Sequence, residues 1–220
     1  MTERSDLKSF VDISRYKSIL CLDGRIPTSR FFKEIGLPLI AADGAANRLH
    51  EIGIKPDLVI GDCDSVMSEI LDQTPHKKIQ SQDDSDFEKA LKYLEENGLM
   101  PAIICGISGG YLDHIMNNVG IFMQHDGNIF VDDEIVGYSL NGIQTFKIPL
   151  NAKLSIIGMP SCTISTNGLK WELNNAELNY PGMGSFFNRC VSKTLKITIH
   201  KGKALMIVYT NEIIDAGLNY

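Results

Sequence analysis

Apolar and polar positions follow two different rhythms along this chain, and the change falls near Val136. Before it, short apolar runs alternate with amphipathic stretches. Ser18 to Leu22 predicts a strand, followed by a loop at Gly24 and a helix from about Thr28 to Ile35. Pro38 to Ala42 predicts the next strand, ending on Asp43-Gly44, with a helix through Asn47, Arg48 and Leu49 behind it. Asp57 to Ile60 predicts a third strand running straight into Gly61-Asp62, and Lys78 to Gln80 a short fourth. Phe87, Ala90, Leu91 and Leu94 recur at the helical period, and Ser85 and Glu88 stand at capping-box spacing, so this helix start is the best marked in the chain. Ala102 to Ile107 predicts a buried strand, Leu112 to Met123 a helix and Asn128 to Val131 a last strand.

Strands alternating with helices predict a parallel sheet covered on both faces. Ligands of such sheets bind where strands end and loops begin. Asp43-Gly44, Gly61 to Ser65 and Gly109-Gly110 all fall at predicted strand ends.

After Val136 no amphipathic helix is predicted. Ile143 to Ile148, Leu154 to Gly158, Cys162 to Thr166, Lys170 to Leu173, Thr194 to His200 and Ala204 to Tyr209 predict strands separated by turn residues. This is the pattern of an all-β sandwich or barrel. Two domains are therefore expected, over residues 1–135 and 136–220.

Composition alters this picture little. The chain has 220 residues, 44% hydrophobic and 22% charged, as soluble globular domains have. A formal net charge of -6 argues against a nucleic-acid or anionic-membrane surface and suits phosphate handling through a bound metal. The polar opening Met1 to Asp6 predicts no targeting segment, and no apolar run is long enough to span a bilayer. Five scattered cysteines, Cys21, Cys63, Cys105, Cys162 and Cys190, without a Cys-x-x-Cys pair, predict reduced thiols and a cytoplasmic address.

Asp62 and Asp64, two apart at a strand end, are candidate ligands for one hard cation, and magnesium (Mg2+) prefers such oxygen ligands with phosphates as co-ligands. An isolated Asp-x-Asp is more often a solvated turn. A second acidic group, Asp83, Asp84 and Asp86 beside Gln82 and Ser85, shifts the balance, because acids crowded at neighbouring strand ends repel one another without a cation. Asp86 alone is also explained by the helix dipole. Gly109 and Gly110 lead from a strand into a helix, where backbone can approach phosphate oxygens, although a Gly-Gly connection is common and no Gly-Lys-Ser/Thr follows at Walker spacing. Asp43 is a candidate cap of the helix after it, and His114 a candidate base or a structural histidine. Trp171, the one tryptophan, is expected from composition to be a packing residue; the functional alternative is an aromatic wall for a flat cation.

Taken in order, Ala42 to Asn47, Pro56 to Ser65, Gln82 to Lys89, Gly109 to His114, Gly168 to Trp171 and Gly184 to Asn188 resemble the thiamine pyrophosphokinase family. The resemblance implies a Rossmann-like, parallel-sheet α/β ATP-binding catalytic domain and a β-sandwich domain for thiamine binding and dimerisation. It implies a homodimer with active sites between subunits, and pyrophosphoryl transfer from ATP to thiamine, giving thiamine diphosphate and AMP. By matching positions, Asp62, Asp64 and Asp86 would hold magnesium. Asp43, Asn47, Gln82, Ser85, Gly109, Gly110 and Asp113 would line the nucleotide and phosphates, and Trp171, Ser185 and Asn188 the thiamine. Asp43 or Asp113 would accept the hydroxyl proton.

Three positions depart from the family pattern. Tyr111 stands where Arg is usual, so a phosphate-binding charge is missing there; Arg25, Arg48 or Lys89 compensates, or turnover is low. Cys63 replaces an aromatic, and Phe187 the second serine of Ser-x-Ser-Asn. These departures keep three alternatives open: a pyrophosphokinase on another alcohol such as a hydroxymethylpterin, a metal-dependent phosphohydrolase, and an inactive nucleotide-binding regulator.

Overall fold

A computed structural model describes residues 11–81 and 83–210. The chain divides into two units, one of residues 13–133 and one of residues 134–220 together with residues 1–12.

In the first unit, β1 (Ser18–Cys21), β2 (Leu39–Ala42), β3 (Leu58–Gly61), β4 (His76–Lys78), β5 (Ala102–Cys105) and β6 (Ile129–Val131) form a parallel sheet in the order β4-β3-β2-β1-β5-β6. Between the strands run α1 (Ser29–Ile35), α2 (Ala45–Glu51), α3 (Ser68–Leu71), α4 (Asp86–Glu96) and α5 (Leu112–Phe122). The order differs from the usual dinucleotide-binding sheet by one strand, so the Rossmann likeness is approximate. Its strand direction of travel still reverses between β1 and β5, which places a ligand crevice at their carboxyl ends. The strands are short and buried on both faces, as β1, β2 and β5 show residue by residue. Leu20, Ile60, Ile103 and Ile104 from the sheet meet Leu49, Leu91, Leu94 and Phe122 from the helices in a core closed to water. Residues 76–78 pair with β3, two positions before the expected fourth strand.

The second unit is antiparallel throughout. It contains β7 (Ile135–Leu140), β8 (Ile143–Lys147), β9 (Lys153–Asn167), β10 (Ala176–Asn179), β11 (Gly184–Arg189) and β12 (Thr194–Tyr209). The expected pairs Leu154–Gly158 with Cys162–Thr166, and Thr194–His200 with Ala204–Tyr209, are each one long strand. Register shifts at Ile199/Lys201 and Gly202/Ala204 bend the pair where turns are expected from Pro160 and Gly202. One half of the pair adds β11 and β7, the other β10 and β8. Long strands shared by two sheets through bulges are a sandwich device. Lys170 to Leu173 is not a strand, because Glu172 folds it back. Its carboxylate accepts the Gly168 and Leu169 amides at 2.6 and 2.9 Å and the Thr166 hydroxyl at 2.6 Å.

Among the described residues, no helix is long and apolar enough to cross a membrane. All five cysteines are free and buried.

Candidate active site

Three strand ends and one helix start converge at the carboxyl edge of the parallel sheet. Asp43 follows β2 in the left-handed region, φ 42°, with its amide donating to the Ile60 carbonyl at 2.8 Å. Asp tolerates this region better than most residues. Gly61 gives Asp43 its room, since a Cβ on Gly61 would lie 2.9 Å from the Asp43 Cβ. The helix after Asp43 is headed by Gly44 without a side-chain cap, so Asp43 is not the capping residue. The capping expectation fails because the carboxylate is turned toward Gly61 and the next strand end.

Asp62 follows Gly61, and Cys63 turns the chain with φ 60°. The Asp64 amide donates to Asp62 Oδ1 at 3.4 Å, and the Asp64 carboxylate accepts the Ser65 hydroxyl at 3.0 Å. Asn47 braces this loop from α2: its amide donates to the Ser65 carbonyl at 2.8 Å and its Oδ1 accepts the Met67 amide at 3.1 Å. Asp86 opens α4, whose start is fixed by the full capping box of Ser85 and Glu88. Lys89, its side chain only 4% exposed, donates to Asp86 Oδ1 at 2.9 Å.

Asp43, Asp62 and Asp86 each present an oxygen within 4.8 Å of the other two. Oxygens around an octahedral magnesium lie ~3 Å apart, so a small closure of these side chains would let them hold such an ion on one face. Asp64 lies outside this group, turned away at Cys63, and Asp43 stands where the Asp-x-Asp spacing expects Asp64. Asp43 Oδ1 is buried without a hydrogen-bond partner. Burial chiefly pushes the Asp43 carboxyl above its ordinary range, with the charges of Asp86 and Asp62 adding to the rise and the Ser65 hydroxyl and Gly44 amide opposing it. Burial pulls the Lys89 ammonium down, but its hydrogen bond to Asp86 and the charges of Asp86, Asp62 and Asp43 carry it above its ordinary value. An orphaned oxygen among like charges is the environment a divalent cation relieves.

Beside the cluster lies a cavity of about 540 Å³ at the ends of β1, β2 and β5, walled by Asp23, Asp43, Ser85, Asp86, Gly109 and Gly110 among others. A Cβ on Gly106 would run into the Leu22 carbonyl, so the β1 and β5 ends approach this closely only because that residue is glycine. Asp113 does not reach the wall. It is exposed on α5, with Oδ1 accepting the His114 amide at 3.0 Å, while Tyr111, His114 and Asn118 line the cavity instead. Asn47 acts on the loop rather than the cavity, and Gln82 lies outside the described residues. Arg48, one of the three bases expected to compensate at position 111, joins the wall, and so does Asp23, which was not expected as a site residue. The signal for Asp23 was present, because Leu22-Asp23-Gly24 ends β1 as Ala42-Asp43-Gly44 ends β2.

In the β unit, Trp171 is 56% exposed, so it is not a packing residue, and Lys170 Nζ sits 4.7 Å from its ring centroid. The chain folds back at Glu172 and leaves the ring outside. Asn188, by contrast, is buried. Its side-chain amide donates to the Trp171 carbonyl at 2.7 Å and to Ser185 Oγ at 3.1 Å, and its Oδ1 accepts the Trp171 amide at 3.2 Å. Between them Phe187, at φ 55°, forms the bulge of β11 and lies under Lys153 Nζ, 4.0 Å from its ring centroid.

Residues 37–131 match the family model for the thiamin pyrophosphokinase catalytic domain, and residues 143–204 match that for the thiamin pyrophosphokinase vitamin B1 binding domain. Thiamine pyrophosphokinase 3 of Oryza sativa subsp. japonica is 27% identical, with 73% of each chain covered. Thiamine pyrophosphokinase 1 of Arabidopsis thaliana is 27% identical over 91% of this chain and 79% of its own. Among solved structures, thiamin pyrophosphokinase from Geobacillus thermodenitrificans superposes with a TM-score of 0.74 at 21% identity, covering 89% of this chain and 99% of its own. The yeast thiamin pyrophosphokinase superposes with a TM-score of 0.77 at 17% identity, covering 87% and 85%, and both structures share the fold described above. With both family models matched in order along one chain, this protein belongs to the thiamine pyrophosphokinase family.

Proposed function

We propose that the chain transfers the pyrophosphoryl group of ATP to the hydroxyethyl oxygen of thiamine, giving thiamine diphosphate and AMP. The observation that carries this reading is the Asp43, Asp62 and Asp86 cluster, with its orphaned oxygen, on the edge of the strand-end cavity. The alcohol must attack the β-phosphorus with AMP leaving, so positioning and charge neutralisation supply most of the catalysis. Magnesium bound by these carboxylates supplies positive charge along the triphosphate. Asp62 and Asp86 belong both to the set implied by resemblance and to the geometric cluster; Asp43 and Asp64 are the rival third ligands. Ser85, Gly109 and Gly110 hold the nucleotide's phosphates against the cavity wall. Of the two acids expected to take the hydroxyl proton, Asp43 is on that wall and Asp113 is not, which favours Asp43 if Asp64 rather than Asp43 is the third ligand.

Trp171 offers an exposed ring to the cationic thiazolium through stacking and cation–π attraction. Asn188 holds the backbone that carries the ring, and Ser185 stands beside it. The protein is further read as a cytoplasmic homodimer with active sites at the subunit interface. Five free, buried thiols support a reducing compartment, and light scattering on the purified protein tests the dimer.

One assay tests the reaction: AMP released from ATP and magnesium, with thiamine or hydroxymethylpterin added. AMP release that requires thiamine is expected. Release that requires the pterin, inorganic phosphate without either alcohol, or no AMP at all each points to one of the three alternatives and overturns the reading. The family match favours none of those three.

A further inference from the structure

The cavity beside the carboxylate cluster is acidic. Asp23, Asp43 and Asp86 stand on its wall, and among the described residues the one Lys or Arg side chain there is Arg48. A triphosphate brings more negative charge than one divalent ion neutralises, so a cationic side chain facing its phosphates is required. Position 111, at the head of α5, does not provide one. Tyr111 lines the cavity and is 78% exposed, but a phenol donates a hydrogen bond without contributing charge.

Three bases stand near enough in the fold to compete, and the geometry separates them. Lys89 is buried and committed to Asp86. Arg25 packs its backbone on the Gly109 turn, its amide donating to the Ser108 carbonyl at 2.5 Å, and its side chain is not part of the cavity wall. Arg48 leaves α2 half exposed. Its Nε donates to Asp23 Oδ1 at 3.0 Å, and its Nη1 stays 3.8 Å from Glu51. Held by Nε at Asp23 and only loosely by Nη1 at Glu51, the half-exposed guanidinium can turn its terminal edge to a bidentate phosphate contact, the recognition geometry at which Arg excels.

We propose that Arg48, set in place by Asp23, is the cationic anchor of the ATP phosphates in this chain and supplies the charge that position 111 lacks. The inference rests on the nucleotide reading of the cavity given above. It extends that reading by assigning Arg48 a binding role and Asp23 a positioning role.

The test is calorimetric titration of the protein with magnesium-ATP and, separately, with thiamine. Arg48→Gln is expected to weaken magnesium-ATP binding about tenfold or more, the loss of a charge-assisted contact, with thiamine affinity unchanged. Arg48→Lys is expected to fall between the two. Adding Tyr111→Arg to Arg48→Gln should restore most of the lost affinity, an outcome that a merely structural role for Arg48 does not produce. Asp23→Asn keeps the guanidinium but frees it, and should weaken ATP binding by a smaller factor. Should Arg48→Gln prove unstable, the Lys and Asp23→Asn variants carry the test. Magnesium-ATP affinity within twofold of wild type in Arg48→Gln, or in both of those variants, overturns the inference. So does a double variant that gains nothing from the Tyr111→Arg substitution. If the functional reading itself fails, wild type gives no thiamine-dependent AMP, while the effect of Arg48 on ATP binding is measured independently of turnover.

Discussion

The two units treat a buried polar side chain in opposite ways. In the α/β unit, Asp43 is buried with Oδ1 unbonded, in a left-handed residue and within reach of two more carboxylates. In the β unit, Asn188 is equally buried, yet both its oxygen and its nitrogen are engaged by the Trp171 backbone and Ser185. An unsatisfied buried charge costs folding free energy and is retained where a ligand satisfies it. A fully satisfied amide does the reverse: it stabilises one conformation of its neighbours and has nothing left for a ligand. The first arrangement is a place to bind; the second is a means to position something else, here an exposed tryptophan.

The sharpest way to break this comparison is through the carboxylates. Asp62→Asn should lower turnover on the order of 10²–10³-fold, the loss seen when one preorganised electrostatic group is removed, with the far-UV spectrum unchanged. Near-normal activity in that variant would remove Asp62 from the metal site. Asp43→Asn has a second signature. It relieves a buried, repelled charge in a backbone region Asn accepts, so the metal-free protein should melt a few degrees higher, for ~1 kcal/mol gained. Its melting temperature should then respond less to added magnesium than wild type does. Asp64→Asn, at an exposed residue outside the cluster, should leave that response intact. The opposite pattern would hand the third ligand position to Asp64.

Asn188→Ala probes the other half. It removes two part-buried bonds to the Trp171 backbone, so ~1–2 kcal/mol of stability should be lost. The KM for thiamine should rise while magnesium-ATP affinity stays constant. A rise in both would show that Asn188 does not act through Trp171 alone.

How much of this could be read from sequence depends on how local each signal is. The Ser85 and Glu88 box, the strand ends at Asp43-Gly44 and Gly61-Asp62, and the alternation of the first half are contained within a few residues, and each is found in the structure where expected. The meeting of Asp43, rather than Asp64, with Asp62 and Asp86 is not local. It depends on Gly61 leaving room for a side chain from another strand and on Cys63 turning Asp64 aside. The β unit hides its layout for a similar reason. Turn residues at Pro160 and Gly202 sit inside continuous strands because strands distant in sequence pair across them, β9 with β12 above all. Residue type alone makes Trp171 a core residue, and its exposure follows from Glu172 and Asn188, the latter 17 positions away.

The smallest effect concerns what aims Asp86. Glu88 accepts the Ser85 amide at 2.9 Å and the Ser85 hydroxyl at 2.7 Å, while its own amide donates to Ser85 Oγ at 3.3 Å. The Ser85 side chain and then its backbone amide pull the Glu88 carboxyl below its ordinary value of 4.5; burial and Asp84 oppose them, and Lys92 adds slightly. The folded state therefore favours the ionised form. Its contribution is fully present above the ordinary value and is lost as pH falls through the lower folded value. Glu88→Gln keeps the shape of the box without the charge, so it should cost ~0.5 kcal/mol at neutral pH. In acid the two proteins should converge, as denaturant melts at pH 7 and near pH 3 would show. Asp86 is the next residue after the cap, so a difference that persists in acid would mean that the box fixes the helix start by shape rather than charge. The aim of Asp86 would then not depend on the charge of Glu88.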